Sequence, residues 1–157
     1  MKREKKENLR IDGKARVLDD LFTMIRNARK DVMITMRYWG SKWGDKKLFD
    51  EVIFPDLENS IKRALSKGAS VRIMGDLESD AYNVSKRLHD IGANVRNFKG
   101  GYLRFIIIDG RECLFAISEP YTEETHFYHA IRSSNKVLVD FFTDYFESTW
   151  PVCDRIF

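Results

Sequence analysis

Cysteine and proline are scarce in this chain. The two cysteines, Cys113 and Cys153, fit no disulfide framework and no metal-ligand spacing, which excludes a disulfide-stapled scaffold and a zinc module. Cys113 lies in an apolar stretch and reads as a small packing residue. Three prolines and nine glycines leave no Pro-rich or low-complexity segment. No apolar run approaches the ~18 residues of a membrane span, and no signal-peptide pattern is present, so the expectation is a cytoplasmic protein with no membrane partner. A strong charge of one sign is missing too. Lys and Arg total 27 against 24 Asp and Glu, giving a formal +3 with the signs interspersed. Charge alone therefore calls for neither nucleic acid nor a membrane surface.

What is present suits one globular domain. The 157 residues are 43% apolar and 32% charged, enough for a proper core. Residues 1–10, MKREKKENLR, read as a charged solvated tail, and residues 11–157 as a single domain. A helix follows Asp12 as N-cap, with Val17, Leu18, Leu21, Phe22 and Ile25 on one face. Asp31–Met36 reads as a central strand. A helix over residues 47–67 is interrupted by Pro55, which predicts a kink or two pieces, and Gly68 closes it. Then come a strand at Ala69–Met74, a helix over residues 79–91 and a strand at Ala93–Phe98. His126–Arg132 reads as a further strand. Ser133 or Ser134 caps a last helix running to Trp150, whose broad apolar face includes Val137, Leu138, Phe141, Phe142 and Phe146. Strands alternating with helices predict an α/β fold: a mixed, mostly parallel sheet with helices on both faces.

The most unusual stretch is Tyr102–Ser118, YLRFIIIDGRECLFAIS. Two apolar runs joined by Asp109-Gly110-Arg111 read as a buried hairpin. Residues two apart on a strand share a face, so Tyr102 and Arg104 emerge together, with Asp109 just past the strand's end. An Arg, a phenol and a carboxylate so placed could line a small polar pocket. The alternative is that Arg104 reaches solvent from an edge strand and Asp109 only makes the turn. A second unusual stretch, RYWGSKWGDKK, follows the first central strand. Ligands in open α/β sheets sit beyond the carboxyl ends of strands. Arg37, Trp39 and Trp43 fall there; the two tryptophans could stack on a sugar or a base or close over a pocket, or one or both could cover the core or an oligomer contact. Asp76, at another strand end, is a further pocket candidate or a turn residue. His126 and His129 are not two apart, which makes a poor metal pair; no metal and no cofactor is expected.

The spacing of Tyr102, Arg104 and Asp109 resembles the His-x-Lys-x-x-x-x-Asp motif of the phospholipase D superfamily. Tyr102 stands for the His, Arg104 for the Lys, and Asp109 is kept. Where that family has a Gly-Ser-x-Asn element, this chain has Ala116, Ile117, Ser118 and Glu119. The order of elements, the segment KGASVRIMGD and the ending DYFESTW are similar to a phospholipase D-like half-domain. The stretches FIIIDGRECLFAIS and HAIRSSNKVLVDFFTDYFESTW resemble the effector-sensing domain of archaeal TrmB-like transcription regulators. The resemblance implies a non-catalytic sensing domain, with Tyr102, Arg104, Asp109 and Glu119 around a small polar effector such as a sugar. It also implies a homodimer, with DNA touched only through a domain absent here. Loss of the attacking imidazole argues against catalysis, since a phenol near pKa 10 is a poor nucleophile at neutral pH. Two other readings stand beside it: a phosphodiesterase or nuclease acting as a homodimer, and a dimerisation module with a vestigial site.

Overall fold

The computed structural model describes residues 8–36, 46–76, 82–99, 103–116 and 129–157. Its centre is β2 (Asp31–Met36), which pairs in parallel with β3 (Ser70–Gly75) on one side and antiparallel with β5 (Phe105–Ile108) on the other. These strands are apolar at consecutive positions because both their faces are covered. Val32 and Ile34, Val71 and Ile73, and Ile106 and Ile108 all enter one cluster, with the helices α1 (Lys14–Asn27) and α3 (Phe54–Ser66). Met33, Met74, Phe105 and Ile107 point the other way, onto α5 (Lys136–Thr149). Helix α4 (Tyr82–Asp90) joins the first layer through Leu88. The result is a sheet between two helical layers, as the alternating order predicts.

The remaining strands are β1 (Asn8–Asp12), β4 (Asn94–Asn97), β6 (Glu112–Ala116), β7 (His129–Ser133) and β8 (Asp154–Arg155). The sheet order is β1-β7-β6-β5-β2-β3-β4-β8. Among the described residues β2–β3 and β3–β4 are the parallel pairings and the other five are antiparallel. The sheet is mixed as expected, but not mostly parallel. The hairpin, a returning edge strand at each end and the β2–β5 pairing reverse the chain more often than helical crossovers carry it forward.

Several local expectations need correction. Asn8–Asp12 is an edge strand laid along β7, so residues 8–10 are not tail; residues 1–7 lie outside the described residues. Pro55 does not split its helix. Lys46–Leu48 (α2) runs into a π-helical stretch, Phe49–Ile53, and on into α3. Proline has no N–H to give to residue 51, and the wider turn absorbs the gap: the Phe54 N–H reaches Phe49 five residues back. The cap of α5 is Asn135 rather than a serine, its side-chain oxygen accepting from the Val137 and Leu138 N–H groups. On α5 itself Val139, Phe142 and Phe146 are buried, Leu138 is half-buried, and Val137 and Phe141 stay 77% and 59% exposed. Cys113 is fully buried, and burial pushes its thiol up to about 11, the behaviour of an inert packing residue. Among the described residues no helix is long and apolar enough to cross a membrane.

Candidate functional site

The carboxyl ends of β2 and β3 and the amino end of β5 meet at one edge of the sheet. Met36 and Gly75 are register partners there. A Cβ on Gly75 would come within 1.8 Å of the Met36 carbonyl oxygen, so only glycine lets the two strand ends close up. Asp76 follows at once and is exposed.

Arg104 enters this edge from the β5 side. Its carbonyl accepts the Ala116 N–H at 3.1 Å, which extends the β5–β6 ladder by one residue and fixes where the side chain emerges. By strand alternation Arg104 shares the face of Ile106 and Ile108, beneath α1 and α3. Its side chain is buried, at 6% exposure. The next residues across the sheet in the same row are Ala116 on β6 and Ala130 on β7. Two short side chains in that row leave a cavity of about 30 Å³ beside Arg104, closed by Val17, Leu21, Thr35 and Leu57. That space suits a water or two; a sugar ring does not fit it.

Thr35 is the residue that sequence reasoning missed. It is buried near the end of β2. Its hydroxyl donates to the Leu103 carbonyl at 2.9 Å and accepts the Phe105 N–H at 2.9 Å. The β2–β5 ladder ends at Ile34–Ile106, and the threonine side chain carries the pairing one step further. Arg104 lies between the two backbone groups it clamps. The signal was legible: Thr35 is the one polar residue between Val32 and Met36, the apolar part of the central strand.

Asp109 is somewhere else. It lies past the carboxyl end of β5, at the opposite edge of the sheet from Arg104. Its carboxylate accepts the backbone N–H groups of Arg29, Lys30 and Asp31 at 2.7–3.2 Å. Its own N–H donates to the Asp31 carbonyl at 2.7 Å. Asp109 and Gly110 both have positive φ, 56° and 64°, and the Arg111 N–H closes the turn onto Ile108. This is the conformation for which Asp-Gly is the preferred pair. Burial opposes ionisation of the carboxyl, but the three backbone donors outweigh it and hold Asp109 below the ordinary carboxylate range. Asp109 therefore ties the hairpin turn to the start of β2, and it lines neither cavity described here. The expectation that Asp109 and Arg104 share a pocket is corrected: a four-residue strand separates them.

Of the eight residues singled out in the sequence, the structure brings Arg104 and Asp76 to one edge, two strands apart, and places Asp109 at the other. Tyr102, Arg37, Trp39, Trp43 and Glu119 lie outside the described residues. So does His126. His89 stacks on Phe157, 4.9 Å between ring centres, and His129 bonds Asp12 on the β1–β7 edge at 2.7 Å. Neither of these histidines lines the Arg104 cavity. Chemically, Arg104 is a permanent cation with a planar fork of donors, able to hold oxygens and unable to act as a base.

The family model described as "Transcriptional regulator TrmB, EBD N-terminal subdomain" matches residues 48–156. A comparison with curated protein sequences found no match. Solved structures with this fold include TrmBL2, described as an archaeal chromatin protein with a novel mode of DNA binding. It is 15% identical with a TM-score of 0.68, over 99% of this chain and 57% of that one. NucT from Helicobacter pylori is 17% identical with a TM-score of 0.70, over 95% of this chain and 98% of that one. Nuc from Salmonella typhimurium, a phospholipase D family member, is 13% identical with a TM-score of 0.69, over 94% and 97%. This chain thus spans little more than half of TrmBL2 and nearly all of the two Nuc proteins. The phospholipase D-like fold and the TrmB likeness read from the sequence both hold.

Proposed function

Because the chain belongs to the TrmB transcriptional-regulator family, as the N-terminal subdomain of its effector-binding domain, we propose that it senses a small polar effector of the sugar or polyol type and does no catalysis. The ligand meets Arg104 at the carboxyl edge of β2 and β3, with Tyr102, Glu119, Arg37, Trp39, Trp43 and Asp76 as its other candidate contacts. One observation carries the reading: an arginine buried at that edge, its backbone fixed by Thr35 and Ala116. The planar fork of an arginine suits the paired oxygens of a polyol, and this one sits at the strand edge where α/β sheets take ligands. Asp109 has no part in binding on this reading; its role is to hold the scaffold. The exposed Val137 and Phe141 of α5 support a homodimer built on that helix face.

The test is a thermal-denaturation screen against neutral monosaccharides, disaccharides and polyols. A ligand that binds only the native state raises the melting temperature with concentration. Arg104→Met should abolish that rise. No response to any member of the panel would remove the sugar-sensing reading. Hydrolysis of a chromogenic phosphodiester, lost in Tyr102→Phe, would replace it with the enzymatic one.

A further inference from the structure

A second and larger cavity, of about 290 Å³, opens at the far edge of the sheet, away from Arg104. Its walls include Arg72 on β3, Asn94 and Arg96 on β4, His89 on α4, Trp150 just after α5, and Arg155 on β8. Arg72 is already neutralised: it holds Glu147 in a bidentate pair at 2.5 and 3.1 Å, with Asp31 at 3.9 Å. Arg96 and Arg155 are not. The Arg96 guanidinium lies 4.3 Å over the Trp150 ring and donates to the Trp150 carbonyl at 2.8 Å. Among the described residues neither it nor Arg155 forms an ion pair with a carboxylate.

The register makes this arrangement unusual. Arg96 and Arg155 are direct partners across the antiparallel β4–β8 pairing. Directly opposed residues share a face with Cβ atoms about 5 Å apart, and like charges so placed repel. The next pair, Asn97 with Asp154, turns to the other face, so Asp154 does not neutralise it. Both arginines line the same cavity, together with His89 and Asn94, and among the described residues none lining it is acidic.

We infer that this cavity binds a phosphate monoester of a small molecule, its dianionic group bridging Arg96 and Arg155. Two uncompensated forks match an oxyanion of charge near −2, which a monoester carries at neutral pH. The volume sits at the small end of ligand pockets and leaves room for a compact organic body behind the phosphate. The site is independent of the Arg104 edge, so either can fail without the other.

Calorimetric titrations at constant ionic strength test it, with inorganic phosphate, a hexose 6-phosphate and the unphosphorylated hexose. The hexose phosphate should bind saturably, and Arg155→Gln should weaken it at least about tenfold, one charge-assisted contact being worth that much. Arg10→Gln, on the edge strand β1 at the opposite end of the sheet, should leave it unchanged. Without any anion, Arg155→Gln should melt no lower than the native protein, because it relieves a repulsion; that also reports that the variant folds. Hexose phosphate binding more tightly than inorganic phosphate supports an organic monoester, while equal binding supports the anion site with free phosphate as its ligand. The inference is overturned by any of three results: no saturable binding of either phosphate, equal binding in Arg155→Gln, or displacement of the hexose phosphate by a short DNA duplex at lower concentration.

Discussion

The two ends of β5 carry opposite charges and do opposite jobs. At the carboxyl end Asp109 is satisfied within the chain, by three backbone N–H groups that close the hairpin turn onto the start of β2. At the amino end Arg104 is buried beside a cavity too small for a ligand ring, at the edge where strands present their ligands. One end is closed by the chain's own backbone; the other sets a buried arginine at the carboxyl edge of β2 and β3. Spacing along a motif does not place its residues in one site. Here the interval between Arg104 and Asp109 measures the length of a strand, and the carboxylate ties the far end of that strand to the start of β2.

That contrast can be broken from either end. The largest effect is expected at the anchor. Asp109→Ala leaves three N–H groups without their acceptor and puts a Cβ residue with no polar tip at positive φ. It should cost about 2–4 kcal/mol, each hydrogen bond to a charged group being worth about 1.5–3 and the three being far from additive. Urea denaturation measures it, and a loss under ~1 kcal/mol would mean the turn holds without the carboxylate. Thr35→Val should come next, at about 1–3 kcal/mol, because it keeps the shape and strands the Phe105 N–H. It should also blunt the response to effector, since Arg104 would no longer be clamped on both sides.

A pH series sharpens the comparison. Asp109 has its folded pKa below the ordinary 3.8. Its contribution to stability is therefore present above about pH 4 and is lost as pH falls through the folded value. Asp109→Asn keeps the turn conformation and should start less stable at neutral pH, then lose less on acidification than the native protein. Parallel stability curves for the two proteins would contradict the carboxylate's role. Arg104→Met should have the smallest effect on stability, within about 1 kcal/mol and of either sign, since an apolar isostere of a buried cation is often neutral or stabilising. A loss above ~3 kcal/mol would make Arg104 a structural residue.

Much of this architecture was legible in the sequence because it is local or covered on both faces. The Ile106–Ile108 run, the Asp-Gly turn and the helical faces of α1 and α3 needed only periodicity. What escaped depends on pairing across long separations. The strand NLRID buries one side chain, Ile11, and follows a charged segment, so its pattern reads as tail until β7 supplies the partner. The two-residue β8 carries no pattern at all, and with it the opposition of Arg96 and Arg155 was invisible. Asp109 was placed in the pocket because alternation gives the face a residue points to, while its edge of the sheet follows from strand direction. Around Pro55 the expectation was a kink or two pieces: proline's missing hydrogen bond is legible in the sequence, while the Phe54 N–H bond to Phe49 that accommodates it is not.

The most direct test of the division of labour along β5 is calorimetric titration of the best effector from the sugar and polyol screen into two variants, Arg104→Met and Asp109→Asn, below their melting temperatures. Binding should be retained within about threefold in Asp109→Asn and weakened by at least about tenfold in Arg104→Met. Equal loss in both variants, or full affinity in Arg104→Met, would contradict the account.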